Sequence, residues 1–193
     1  MGVITSTTQL KIIDAYFRIL QEDSSWKKVT FAMVAEKAGM RRESIYRYHF
    51  SNIEEIKERI YYLIDAEIEE ISKDFFMDKN GNLNIFLTQK LLPLLFSKKD
   101  WLKVIYKTTM SAEWNEFLIE KYSPLLESYL NRLEKKEVIP NSFLVLIIIK
   151  QIIAILSTWL MDDNPEPVSL FQEKLISILQ KSPYDYLVNP TKE

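Results

Sequence analysis

The chain has 193 residues, with 25 basic and 27 acidic side chains, one histidine and no cysteine. The missing cysteine excludes a disulfide framework, a thiol nucleophile and a thiolate metal site. Three glycines and one histidine leave little to build a phosphate-cradling loop, a His-based metal site or a Ser-His-Asp relay, so no metal, cofactor or catalytic residue is expected.

Aliphatic and aromatic residues make up 47% of the chain, enough for a real core. No basic segment followed by an apolar run and a cleavage site opens the sequence, so the expected location is the cytoplasm. The net charge of −2 conceals an uneven distribution. Residues 1–60 hold ten Lys/Arg against eight Asp/Glu, and the remainder fifteen against nineteen. Between Ser24 and Phe50 six basic residues face two acidic ones, which concentrates positive field on that stretch.

In chain order, a first helix is expected over about Thr7 to Gln21, with Leu10, Ile13, Phe17 and Leu20 on one apolar face. Asp23-Ser24-Ser25 reads as a loop, Trp26 and Phe31 as core anchors, and Lys27 and Lys28 as a solvated pair or backbone-phosphate contacts. Thr30 to Phe50 then reads as two short helices joined by a tight turn. Thr30 caps the first of them, and Gly39 ends it in a left-handed conformation that glycine adopts without strain. Val34, Ala35, Ala38, Met40, Ile45 and Tyr48 take the inward positions of the corner. The second helix, from near Arg41, presents Arg41, Arg42, Ser44, Tyr46, Arg47 and Tyr48, groups that bind phosphate oxygens and base edges of duplex DNA. His49 reads as a packing residue at its end.

Ser51 and Glu54 form an expected capping box opening a long helix to about Phe76, which spans roughly 35–40 Å at about 1.5 Å per residue. Asp78 to Asn82 is the clearest break. Leu83 to Phe96 reads as an apolar helix kinked at Pro93, Asp100 as the cap of a helix from Trp101, and Pro124 as the first turn of another ending near Val138. Phe143 to Met161 is apolar nearly all round, but Lys150, Gln151, Ser157 and Thr158 interrupt it, so no membrane span is expected. Burial against a second copy of the chain is the expectation instead, with a last helix, Val168 to Gln180, turning Leu170, Phe171, Leu175, Ile178 and Leu179 inward.

VTFAMVAEKAGM, then RRESIYRYHF, then SNIEEI opening a long helix, resembles the DNA-binding domain of the tetracycline-repressor (TetR) family over about the first 60 residues. The resemblance implies an all-α fold: a three-helix DNA-binding domain with a helix-turn-helix over 1–50, and a helical effector-binding and dimerisation domain over 51–193. It implies that Thr30, Arg41, Arg42, Ser44, Tyr46, Arg47 and Tyr48 face double-stranded operator DNA. It also implies a homodimer through helices at about 142–161 and 168–180, and release by a small-molecule effector of unknown identity. Three departures stand out: Asn52-Ile53 replaces the family's frequent lysine, the segment from Ile45 to Phe50 is one residue longer, and no glycine or proline lies near Glu43.

Trp101, Tyr106, Met110, Trp114, Tyr122 and Trp159 are the candidate effector pocket, since aromatic and methionine side chains line apolar cavities and also fill cores. Two other classes remain open. One is a helical enzyme using carboxylates such as Glu67 with Glu70 or Glu113 with Glu116; the other is an interaction protein that keeps the fold without reading DNA.

Overall fold

The computed structural model describes residues 5–22, 29–78, 81–133, 139–181 and 183–188. Trp26, Lys27, Lys28, the loop at 23–25, residues 79–80 and the helix end near Val138 lie outside the described residues. Among the described residues all regular structure is helical. The chain packs as two compact units: Met1–Glu67 with Asp100–Leu118, and Ile68–Lys99 with Ile119–Glu193.

The first unit begins with α1, Thr7–Glu22. Ser6 and Gln9 bond each other's backbone N–H groups reciprocally, which satisfies two of the donors left free at a helix start. Ile12, Ile13, Tyr16, Phe17, Ile19 and Leu20 form its buried face, but Leu10, expected inward, is exposed in the first turn. The corner follows as α2, Phe31–Ala38, and α3, Arg42–Tyr48. Val34, Ala35, Ala38 and Ile45 are buried as expected, while Met40 and Phe31 are half-buried. Tyr48 corrects the inward list: its ring stands in solvent, because it lies at the end of α3, past the turn that Ile45 anchors. A Lys37–Glu22 ion pair ties the last turn of α2 to the end of α1.

Helix α4, Ile53–Met77, starts one residue later than a Ser51–Glu54 box requires. Asn52 Oδ1 accepts from the Glu55 N–H at 2.9 Å, and the Glu55 carboxylate accepts from the Ser51 N–H and hydroxyl at 2.7 Å each. The backbone N–H of Ser51 is the largest cause holding Glu55 below the usual carboxylate range, followed by its hydroxyl. Asn52, not Ser51, is therefore the cap, and the Glu55 carboxylate reaches back one residue past it, to Ser51, in place of the expected Ser51–Glu54 box. Ile56, Ile60, Ile64, Ile68 and Phe75 bury the apolar stripe, each at helical spacing.

Within the second unit, Leu83 to Ser97 is not one kinked helix. It divides into α5, Leu83–Ile85, a π-helical segment, Phe86–Leu91, and α6, Leu92–Ser97. Pro93 has no N–H to donate, and the wider turn before it absorbs the missing bond without breaking the rod. From Asp100 the chain returns to the first unit with α7, Lys99–Tyr106, which contains Asp100 in its first turn rather than at its cap. Pro124 lies inside α8, Met110–Arg132, instead of starting a helix. Pro124 is exposed, so the carbonyl it leaves without a helical donor is open to solvent, and the Ser123 hydroxyl donates to Ile119 O at 2.6 Å in the same turn.

The C-terminal part comprises α9, Asn141–Met161, α10, Val168–Gln180, and α11, Pro183–Val188. Helix α9 buries Val145, Ile149, Leu156, Trp159 and Leu160, and leaves Phe143, Leu146 and Ile147 exposed. Leu170, expected inward on α10, is also exposed, whereas Phe171 and Leu175 are buried. Among the described residues α9 alone is long and apolar enough to cross a membrane, with a mean hydropathy of 2.3 and Lys150 near its middle.

Candidate nucleic-acid interface

Helix α3 is only seven residues long, far too short to hold itself in water. Its geometry is imposed from α2. Thr30 is extended, and its hydroxyl accepts from the Met33 N–H at 3.4 Å. Gly39 sits at φ +62°, and its N–H and that of Met40 close the end of α2 on Glu36 O and Ala35 O. A side chain at Gly39 meets no steric clash, so the requirement there is purely backbone conformation. Ile45, at 0% exposure, pins α3 from beneath; full burial of such a side chain contributes about 2 kcal/mol.

That anchor decides what points outward. Arg41, Arg42, Glu43, Tyr46, Arg47 and Tyr48 are exposed, Tyr46 by 64% and Tyr48 by 70%, and Ser44 is half-buried. The side chains of Arg41, Arg42 and Arg47 form no ion pair or hydrogen bond with any described residue. Two large rings and three guanidinium groups are thus held in solvent on one short helix and its capping residue, Arg41. Guanidinium forks match phosphate and guanine edges, and tyrosine offers a hydroxyl and an apolar face. Thr30 is exposed at the start of α2, where its hydroxyl is already used in capping. Ser44 is the least accessible of the sequence-derived set, and His49 is half-buried at the helix end.

On α4 itself, a network with no signal in the sequence braces the first turns of the helix. Lys57 donates to both Glu113 oxygens, at 3.0 and 3.1 Å, and pairs with Glu54 at 3.0 Å. Burial pulls Lys57 down, but these carboxylates outweigh it and raise its pKa. The Tyr61 hydroxyl points at Glu113 at 3.5 Å, and its ring forms a triangular cluster with those of Trp114 and Phe117, with centroids 5.3 to 5.8 Å apart. Burial first, then the Glu113 charge, pushes the Tyr61 phenol well above its usual range; burial also pushes Tyr16 up to about 12. Glu113 is thus the counter-ion that Lys57 faces across the two helices.

The six candidate pocket residues fall in different units. In the first, Trp101 meets Phe17 edge-on at 5.1 Å, Met110 and Trp114 are buried, and Trp114 Nε1–H donates to the Tyr106 hydroxyl at 3.3 Å. Burial pushes Tyr106 up to about 12. In the second, Tyr122 packs against the cluster of Leu126, Leu130, Val145 and Ile149. Trp159 lies between Phe96 and Phe171, at 5.6 and 4.3 Å, with its N–H donating to Glu166 O at 3.0 Å. Two hollows are lined by other residues: one of about 380 Å³ by Phe75, Phe86 and Asp74 among others, one of about 300 Å³ by His49, Phe50 and Arg59 among others.

This arrangement of a capped helix, a glycine-closed turn and a short exposed helix, followed by a long helix and a helical body, is a TetR-like fold. The solved structure of the dihydroxyacetone kinase operon activator DhaS shares it, with a TM-score of 0.50 and 17% identity over 90% of this chain and 94% of that one. So does the TetR family repressor AlkX from Dietzia sp. strain DQ12-45-1b, implicated in biodegradation of n-alkanes, with a TM-score of 0.50 and 22% identity over 93% of this chain and 98% of that one. No protein-family model matches the sequence, and no curated protein does. At these identities the likeness establishes the fold.

Proposed function

We propose that the chain is a sequence-specific DNA-binding transcriptional regulator of the TetR type, a repressor released by a small, largely apolar effector. The observation that carries this reading is the outward face of α3: Arg41, Arg42 and Arg47 without partners among the described residues, beside exposed Tyr46 and Tyr48. A folded protein gains nothing internally from such a face, whereas a polyanion with readable edges uses every group on it. Residues 1–50 read the DNA in this proposal, and residues 51–193 carry dimerisation and effector response, in the cytoplasm and with no catalytic step.

Two copies pair through α9 and α10, whose exposed Phe143, Leu146, Ile147 and Leu170 need a cover. The paired α3 helices occupy successive major grooves about 34–36 Å apart on a near-palindromic site. The effector favours a dimer with wrongly spaced heads; a hundredfold loss of occupancy requires about 2.7 kcal/mol of preference for that state. Trp101, Tyr106, Met110 and Trp114 in one unit, and Tyr122 and Trp159 in the other, are the groups proposed to sense it.

The test is to pass fragmented genomic DNA over the purified protein at moderate salt and sequence what is retained. Enrichment of a short inverted repeat supports the reading. Retention without sequence preference, or none at all, rejects it in favour of an interaction protein.

A further inference from the structure

On α3, each residue turns the chain by about 100°, so the positions opposite the buried Ile45 are those two before and two after it. They are Glu43 and Arg47, both exposed. They stand one helical turn apart in the order, acid before base, that favours an ion pair. Yet neither side chain pairs with any described residue. The outermost ridge of a face otherwise built to approach a polyanion thus carries a carboxylate unpaired among the described residues.

A carboxylate brought close to phosphates weakens binding unless it meets a donor. In the major groove the donors are the N4 amino group of cytosine and the N6 amino group of adenine. Adenine sets its N7 acceptor beside that donor, which repels a carboxylate; guanine and thymine present acceptor oxygens at the same level. Cytosine is the base that remains. We propose, on the strength of the DNA-reading function above, that Glu43 is a specificity-determining residue: its carboxylate accepts the exposed N4–H of one cytosine per half-site. It acts as much by excluding the other three bases as by holding this one. A competing account confines Glu43 to the first turn of α3, where a negative charge complements the helix dipole.

The experiment selects binding sites from randomised duplexes with the wild-type protein, Glu43→Ala and Glu43→Gln, with thermal melting of each. The expected result is a cytosine at one position of each wild-type half-site. Glu43→Ala loses that preference, Glu43→Gln moves it to adenine, and the other positions stay unchanged. Replacing the cytosine by N4-methylcytosine weakens the wild type about tenfold and leaves Glu43→Ala unaffected. Affinity for random duplex rises in both variants as the repulsive charge is removed. If both variants select the wild-type sequence and only the melting temperature moves, Glu43 serves the dipole and the inference is overturned. If the wild type selects no sequence, the DNA-reading function itself fails and this inference fails with it.

Discussion

The outer faces of α3 and α9 both leave large side chains in water, but for opposite chemical reasons. On α3 the exposed set is cationic and aromatic apart from Glu43, mounted on seven residues that α2 and the buried Ile45 help to hold in place. On α9 it is aliphatic and aromatic, with Phe143 exposed by 58% and Ile147 by 49%, on a helix of 21 residues. A charged face can remain in solvent at little cost and wait for a polyanion. An apolar face loses about 25 cal/mol for each Å² left in water and is stable only when covered. The two faces therefore differ in what would complete them: in the proposed function α3 meets DNA transiently, and α9 is covered permanently by a second copy.

The largest effects are expected from inverting the character of each face, by removing charge from α3 and adding it to α9. Arg42→Ala combined with Arg47→Ala is expected to reduce affinity for the recovered site at least a hundredfold, and to lower the salt slope by about one unit per phosphate contact removed. Melting should be unchanged, since both side chains are exposed and unpaired among the described residues; unchanged affinity in a gel shift rejects this placement of the reading face. Ile147→Glu is expected to convert a dimer to a folded monomer in sedimentation, because its side chain is exposed in the single chain. Ile149→Glu, two residues on and 7% exposed, is expected to unfold the protein instead. Equal effects of the two would erase the distinction between outer and inner faces of α9.

Smaller effects probe what holds the faces. Gly39→Ala forces a left-handed conformation on a residue with a Cβ, and is expected to cost about 1–2 kcal/mol in denaturant unfolding. The ends of the pH range report on the two units separately. Tyr16 and Tyr106, each pushed up to about 12 by burial, keep their protons in the folded first unit after an unfolded chain loses them. Their stabilisation is present below pH 10.0, the ordinary tyrosine value, and is lost as the pH rises toward about 12. Hydrogen bonds from Lys121 and then Lys73 hold Glu69 in the second unit at about 2. Its stabilisation is present above the ordinary carboxylate value and is lost as the pH falls toward about 2; Glu69→Gln should flatten that acid limb in circular dichroism.

Legibility in the sequence followed the range of the interactions. The corner was readable because Thr30, Gly39 and the small residues Ala35 and Ala38 act on neighbours within a few positions. The cap of α4 was readable to within one residue, since Ser51-x-x-Glu54 and Asn52-x-x-Glu55 satisfy the same pattern. Pro124 misled because proline favours a first helical turn, yet an exposed interior site tolerates it when the carbonyl is open to solvent. The Lys57–Glu113 pair was invisible, joining residues 56 positions apart with no local signal. Tyr48 fitted both an inward and an outward pattern, and only the place where α3 ends separates them.

The central claim is that two reading helices, carried by one paired trunk, engage one stretch of duplex. The mass of the complex on the recovered DNA site, measured by light scattering at moderate salt, tests it most directly. The account predicts two chains per duplex, falling to free DNA with Arg42→Ala combined with Arg47→Ala. A saturated complex of one chain per duplex would contradict it.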